Sequence, residues 1–259
     1  MNIKMIATDL DGTLLRSDST ISDYTYSILE KCRANGIKVT YATARSNSGK
    51  IPTLDELVDG YVYNNGAKAY VGETLVYNKV ISIADVRGLL VAADKAGIKI
   101  AAESNGVYYG NFDITKELTF PYPIQSRENI NFNTIDIEVE KIIAAPESAD
   151  KSTEAADLIN NHLPEDACLL IREEGLLMVV IHKEAIKSKG VAALAEYWGI
   201  KQSETAAFGD DTIDIDLLEY CGIGVAVSNA LDEVKASADY VCESNDNDGV
   251  AKWIEGYLS

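Results

Sequence analysis

Short apolar runs alternate with helical stretches at both ends of this chain, and that alternation limits the fold more than any other feature. IKMIAT (3–8) precedes a helical pattern near 22–35, in which Ile28, Leu29 and Cys32 recur at helical spacing and Gly36 supplies the stop. GIKVTYAT (36–43), GYVYNNGA (60–67), TAAFGDD (205–211), CGIGVAV (221–227) and ADYVCES (238–244) all read as short strands beside helical stretches. Strands alternating with helices predict a parallel sheet covered on both faces. Such a sheet keeps its ligand beyond the carboxyl ends of its strands.

The middle of the chain reads differently. Ser82, with Asp85 three residues on, opens a helix, and the strand-like GIKIAAES and GVYYGN follow. An irregular stretch then contains Pro121 and Pro123. Beyond it come VEKIIAA, a helix near 148–162, and ACLLIREEGLLMVVIH, whose Glu-Glu-Gly centre predicts a hairpin. A second α/β unit inserted into the first accounts for this change of rhythm. The expected fold is α/β: a Rossmann-like, doubly wound parallel sheet from 1–81 and 188–259, with an α/β insert over 82–187.

Composition narrows the function. The 259 residues are 47% apolar and 25% charged, enough to bury one large or two modest cores. With 23 basic against 41 acidic residues the net charge is −18, opposite to the footprint of a nucleic-acid or anionic-membrane binder. No charged segment followed by a long apolar run opens the sequence, and no apolar run approaches the ~20 residues of a membrane span. A cytoplasmic protein with neither nucleic-acid nor membrane partners is expected. Cys32, Cys168, Cys221 and Cys242 are scattered without metal spacing and read as reduced thiols.

Two carboxylates, Asp9 and Asp11, end the first apolar run, with Gly12 directly after them. Residues two apart on an extended segment project to one side, so the pair would raise one another's pKa unless a cation or donors offset the repulsion. An isolated Asp-x-Asp-Gly is commonly a solvated turn; here three further strand ends carry matching groups. Thr43 follows an apolar strand, with Arg45 nearby. Lys189 precedes a helix, near the positive end of its dipole. Asp210, Asp211 and Asp214 follow another buried strand. Together they offer a nucleophile, an acid or base, two phosphate-neutralising groups and a hard-cation site.

DLDGTLL, YATARS, Lys189-Gly190 and GDDTID, in that order, resemble the four motifs of the haloacid dehalogenase (HAD) superfamily. NNGA (64–67), AVSNA and NDNDGVA are similar to its Cof-type, sugar-phosphatase-like branch. An insert between the second and third motifs matches the α/β cap of that branch and not the helical cap of other members. The resemblance implies a Mg²⁺-dependent phosphohydrolase acting on a small-molecule phosphate ester, in which Asp9 is the nucleophile and Asp11 the general acid and base. It further implies that Asp9, the Asp11 backbone carbonyl and Asp210 hold the metal, while Thr43 and Lys189 hold phosphate. Gly12, Arg45, Asn65 and Asp214 have supporting places, with Asp214 orienting Lys189 or a metal-bound water. Glu103, Asn105, Arg172, Glu173 and His182 are candidate substrate contacts in the cap. Two positions depart from the pattern: Ala44 replaces a Gly, and Ile213 replaces an Asn that helps bind phosphate. A phosphotransferase or mutase using the same aspartyl-phosphate, or a non-catalytic ligand binder, are the alternatives.

Overall fold

The computed structural model describes residues 2–49, 51–120, 122–172 and 175–258. Contacts divide the chain into two units: Met1–Ala44, Lys50–Asn78 and Ile186–Ser259 form the first, and Arg45–Gly49 with Lys79–Ala185 the second.

The first unit is built on an eight-stranded sheet. Its strands, numbered along the chain, are β1 (Met5–Thr8), β2 (Lys38–Ala42), β3 (Gly60–Tyr63), β4 (Lys68–Val71), β5 (Thr74–Asn78), β14 (Thr205–Gly209), β15 (Ile223–Val227) and β16 (Tyr240–Cys242). The order is β16-β15-β14-β1-β2-β3-β4-β5. Every residue of β1, β14 and β15 is buried, as befits parallel strands covered on both faces. Parallel pairing sets Thr8 level with both Tyr41 and Phe208. The chain runs from β1 outward to β2 on one side and places β14 on the other, so the order reverses at β1. That reversal opens a crevice at the carboxyl end of β1.

Helices follow from patterning. α1 (Asp23–Ala34) is capped by Ser22, which accepts from the Thr25 N–H, and buries Ile28, Leu29 and Cys32. It packs with α9 (Gly249–Leu258) and β2. α6 (Lys187–Tyr197) packs on β2 to β5 and against α7 (Ile215–Tyr220), which in turn meets α8 (Asp232–Ser237). α2 (Pro52–Asp55) is a single turn.

In the second unit a six-stranded sheet has the order β12-β13-β11-β7-β8-β9. These are β7 (Lys99–Ser104), β8 (Val107–Gly110), β9 (Gln125–Arg127), β11 (Lys141–Ala145), β12 (Ala167–Arg172) and β13 (Leu177–His182). β6 (Ile81–Ser82) pairs separately with β10 (Glu138–Val139). α3 (Ile83–Lys95), capped by the Ser82 hydroxyl, packs with α5 (Ser152–Asn160). Leu89, Leu90 and Ile159 meet Ile100, Ile142 and Met178 in one core. A smaller cluster gathers Tyr108, Phe112, Ile114 and Ile143 near α4 (Ile114–Glu117). Among the described residues no helix is long and apolar enough to cross a membrane.

One expectation needs correction. GYVYNNGA is not a single strand: β3 stops at Tyr63, and Asn64 and Asn65 take left-handed backbone (φ 49° and 57°), a conformation Asn tolerates better than most residues. The chain then returns as β4, antiparallel to β3, and turns again into β5, antiparallel to β4. The sheet is therefore parallel through its centre and antiparallel at one edge.

Candidate active site

The strand register gathers three segments. Asp9 directly follows β1, and its N–H donates to the Phe208 carbonyl at 2.9 Å, carrying the ladder one step past the strand. Thr43 directly follows β2; its N–H donates to the Val62 carbonyl at 2.9 Å and its carbonyl accepts from the Asn65 N–H at 3.0 Å. Asp210 directly follows β14. Asp9 and Thr43 are buried, and Asp11, Gly12 and Asp210 are partly buried.

Gly12 has φ +81°, and a Cβ there would lie 2.5 Å from the Asp210 carboxylate. Both the backbone conformation and the close approach require glycine. Thr13, next along, donates its hydroxyl to Asp210 Oδ1 at 2.5 Å. Asp214 closes the turn after β14: its Oδ2 accepts from the backbone N–H groups of Asp210 and Asp211, each at 3.1 Å.

The lysine of the site is Lys187, not Lys189. Lys187 Nζ donates to Asp9 Oδ1 and to Asp214 Oδ1, both at 2.6 Å, with its side chain 1% exposed. Lys189 is exposed. Two residues along an α-helix turn the side chain by about 200°, so the two lysines face opposite ways. Gly190 decides which faces in: it lies against Val62, where a Cβ would come 2.5 Å from Cγ1, and Lys187 shares that face three residues earlier. Gly66 packs just as closely under the backbone of Ile186. α6 lacks a cap from its own N-cap residue; Asp216 of α7 substitutes, accepting from the Ser188 N–H at 3.0 Å. Lys187 and Asp216 were both missed in the sequence. The spacing Lys187, Gly190, Val191, Leu194 is a buried helical face and carried the signal for the first; nothing local signalled the second.

Electrostatics follow from burial. Burial pushes the Asp9 carboxyl up to about 8, against the pull of Lys187 and with added repulsion from Asp214 and Asp210. It pushes Asp210 up to about 6, opposed by the Thr13 hydrogen bond. For Lys187 burial alone would favour the neutral amine, but Asp214 and Asp9 hold its pKa above the ordinary lysine value. Asp9, Asp210 and Asp214 each bring one carboxylate oxygen within 4.8 Å of the others. Asp214 is already committed to Lys187 and two backbone donors, which leaves Asp9 and Asp210 as the carboxylates available to a cation. Hard oxygen donors carrying unrelieved repulsion fit a small divalent ion such as Mg²⁺.

The remaining candidates belong to the second unit. Arg45 lies in the second unit, buried, 5.0 Å from the centre of the Tyr122 ring and donating to the Gly49 carbonyl at 3.5 Å. Glu103 accepts from the Gly106 N–H at 2.6 Å, and Glu140 from the Asn105 N–H at 3.0 Å, so these carboxylates hold the tight turn on which Asn105 sits (φ 49°). His182 Nδ1 accepts from the Glu184 N–H at 2.9 Å. Register puts Glu103 and His182 at one end of the six-stranded sheet and Arg172 at the other, so they form no single constellation. Glu173 lies outside the described residues.

The model of the haloacid dehalogenase-like hydrolase family matches residues 6–254. Bacillus subtilis YxeH is 31% identical over 269 residues, 97% of each chain. Bacillus subtilis YitU, a 5-amino-6-(5-phospho-D-ribitylamino)uracil phosphatase, is 26% identical over 98% of this chain and 97% of its own. The solved structure of a HAD subclass IIB sugar phosphatase superposes with a TM-score of 0.80 at 27% identity, covering 98% of this chain and 99% of that one. A family model that matches nearly the whole sequence, with relatives alike from end to end, decides the matter: this chain belongs to the haloacid dehalogenase-like hydrolases, in their Cof-type branch, and is a phosphatase of that superfamily.

Proposed function

We propose that the protein is a Mg²⁺-dependent phosphohydrolase that removes phosphate from a small phosphorylated metabolite, a sugar or polyol phosphate, through an aspartyl-phosphate on Asp9. The observation that carries this reading is the fully buried Lys187 bonded at 2.6 Å to both Asp9 and Asp214, beside Asp210, at the carboxyl end of β1. The substrate class rests on YitU and the subclass IIB sugar phosphatase, whose names print phosphate esters of polyhydroxylated carbon chains. Selection of the leaving group is assigned to the second unit.

An Asp9 carboxylate oxygen attacks phosphorus in line, and the bond from phosphorus to the leaving alkoxide breaks as Asp11 gives that oxygen its proton. Asp11, now a carboxylate, takes a proton from water. The resulting nucleophile attacks phosphorus, cleaves the acyl-phosphate bond and restores Asp9, releasing inorganic phosphate. Lys187 and Thr43 hold the non-bridging oxygens, and Asp214 keeps Lys187 aimed. Asp9, Asp210 and the Asp11 carbonyl would hold Mg²⁺, which supplies positive charge to offset that of the phosphoryl group and its attacking carboxylate.

The test is phosphate release from a panel of sugar, polyol and aryl phosphates, with Mg²⁺ and with chelator. Release should depend on Mg²⁺ and disappear in Asp9→Asn. Release that survives rigorous metal removal, or none from any ester, overturns the reading.

A further inference from the structure

The loop after Asp9 is tied down from far along the chain. Asn229 Nδ2 donates to the Gly12 carbonyl at 2.7 Å, while Asn229 Oδ1 accepts from the Asn245 N–H at 3.0 Å. Asn245 in turn donates its own amide to the Leu15 carbonyl at 2.9 Å. Two residues past Asn229, the Leu231 N–H donates to the Asp210 carbonyl at 3.1 Å.

With Thr13 bonded to Asp210 Oδ1, these bonds close a ring: Gly12, Thr13, Asp210, Leu231, Asn229 and back to Gly12. Asn229 is exposed, and an exposed Asn with only a surface role would have both ends of its amide in water. This one spends both on backbone groups, 217 and 16 residues away in sequence. The assignment of its amide is fixed by the partners, since a carbonyl needs the donor end and an N–H the acceptor end.

We propose that Asn229 is a positioning residue of the cation site: by holding the Gly12 carbonyl it sets the separation between the backbone at Asp11–Gly12 and the Asp210 carboxylate. The inference rests on the metal reading above. Gly12 Cα lies against that carboxylate, so a rotation of the Gly12–Thr13 peptide moves the Thr13 hydroxyl and releases Asp210. A planar amide bonded at both ends resists that rotation.

The experiment is Mn²⁺ binding to the metal-free full chain, followed by electron paramagnetic resonance of free Mn²⁺, for the parent, Asn229→Ala, Asn229→Asp and Asn247→Ala. Asn229→Ala removes both bonds, and loss of the one that holds the Gly12 carbonyl predicts roughly two- to tenfold weaker binding. Asn229→Asp keeps an acceptor for Asn245 but loses the donor to Gly12, and should also bind more weakly although it adds a negative charge. Asn247, whose amide meets only the Ser244 hydroxyl, should bind like the parent when replaced. Melting in chelator should stay near the parent value, and saturating Mn²⁺ should restore the full metal-induced rise in Tm. Parent-like affinity in Asn229→Ala, or tighter binding in Asn229→Asp, overturns the proposal alone. Absence of Mn²⁺ binding by the parent overturns it together with the metal reading.

Discussion

Replacing Lys187 by Met removes the ammonium shared by Asp9 and Asp214. In the parent it serves two carboxylates at 2.6 Å, with side-chain exposures of 1% for the lysine, 9% for Asp9 and 1% for Asp214. Met keeps most of the apolar stem and removes the charge, leaving both carboxylates buried without their shared partner. Breaking a buried pair from one side costs about 3–5 kcal/mol, which for a chain of this size is a fall in Tm of about 6–20 °C. Proton uptake limits the loss: burial pushes Asp9 up to about 8 in the parent even against the pull of Lys187, and without that pull it rises further, so the variant holds Asp9 neutral and the loss grows as pH passes about 8, where the parent gains its ion pair. Lys189→Met, at an exposed position, should stay within about 0.5 kcal/mol of the parent. Melting in chelator on both sides of the Asp9 value measures this. Lys187→Met/Asp214→Asn should recover part of the deficit by removing one orphaned charge, with a coupling of about 0.5–3 kcal/mol. Turnover should fall about 10²- to 10³-fold in Lys187→Met and stay unchanged in Lys189→Met. Parent-like melting and turnover in Lys187→Met, with Lys189→Met inactive, would refute the assignment.

Asp9→Asn should abolish both turnover and acid-trapped phosphoenzyme, whereas Asp11→Asn should slow turnover and keep Mn²⁺ affinity near the parent's; near-parental hydrolysis by Asp9→Asn contradicts the mechanism. In chelator, Asp9 at about 8 and Asp210 at about 6 both lie above the ordinary carboxylate value of 3.8. The folded chain therefore retains protons that the unfolded chain releases. The stability these groups contribute is full below about 4 and is lost as pH rises through 6 and 8. Asp210→Asn should flatten the lower part of that decline in Tm, and a parent profile identical to the variant's would count against it. Ile213 is half-buried where the branch carries Asn. A hydrogen bond to a charged group contributes about 1.5–3 kcal/mol, so Ile213→Asn should raise kcat/KM several-fold in steady-state assays with Tm retained. An unchanged value means the side chain serves packing.

Asp9, Thr43 and Asp210 were legible as neighbours because each directly follows an apolar run, with Asp214 one turn beyond, and a parallel sheet aligns such positions whatever lies between them. Lys187 was not, because Lys189-Gly190 matches a motif as a dipeptide while the helix reads faces: only the spacing to Gly190 and Leu194 shows which lysine turns inward. β4 and β5 escaped notice because an antiparallel edge needs no long apolar run; β5 has no buried residue. Arg45 and the insert's polar residues were legible as chemistry but not as places, since periodicity along one segment says nothing about which side chains meet across a sheet.

The pairing of β1 with both β2 and β14 also dictates a schedule for biosynthesis. On the ribosome β1 emerges ahead of both its partners, and β2 can join it within some thirty residues, but its other edge waits for residues 205–209. Chains grow at roughly 5–20 residues per second, so that open edge persists for on the order of ten seconds or more, far longer than strand pairing takes. The second unit, nearly contiguous from Lys79 to Ala185, is complete before the partner strand exists. A nascent chain stalled between the two would expose Met5–Thr8, a short strand that is buried throughout in the finished sheet, as a target for holdase chaperones and for pairing with other chains.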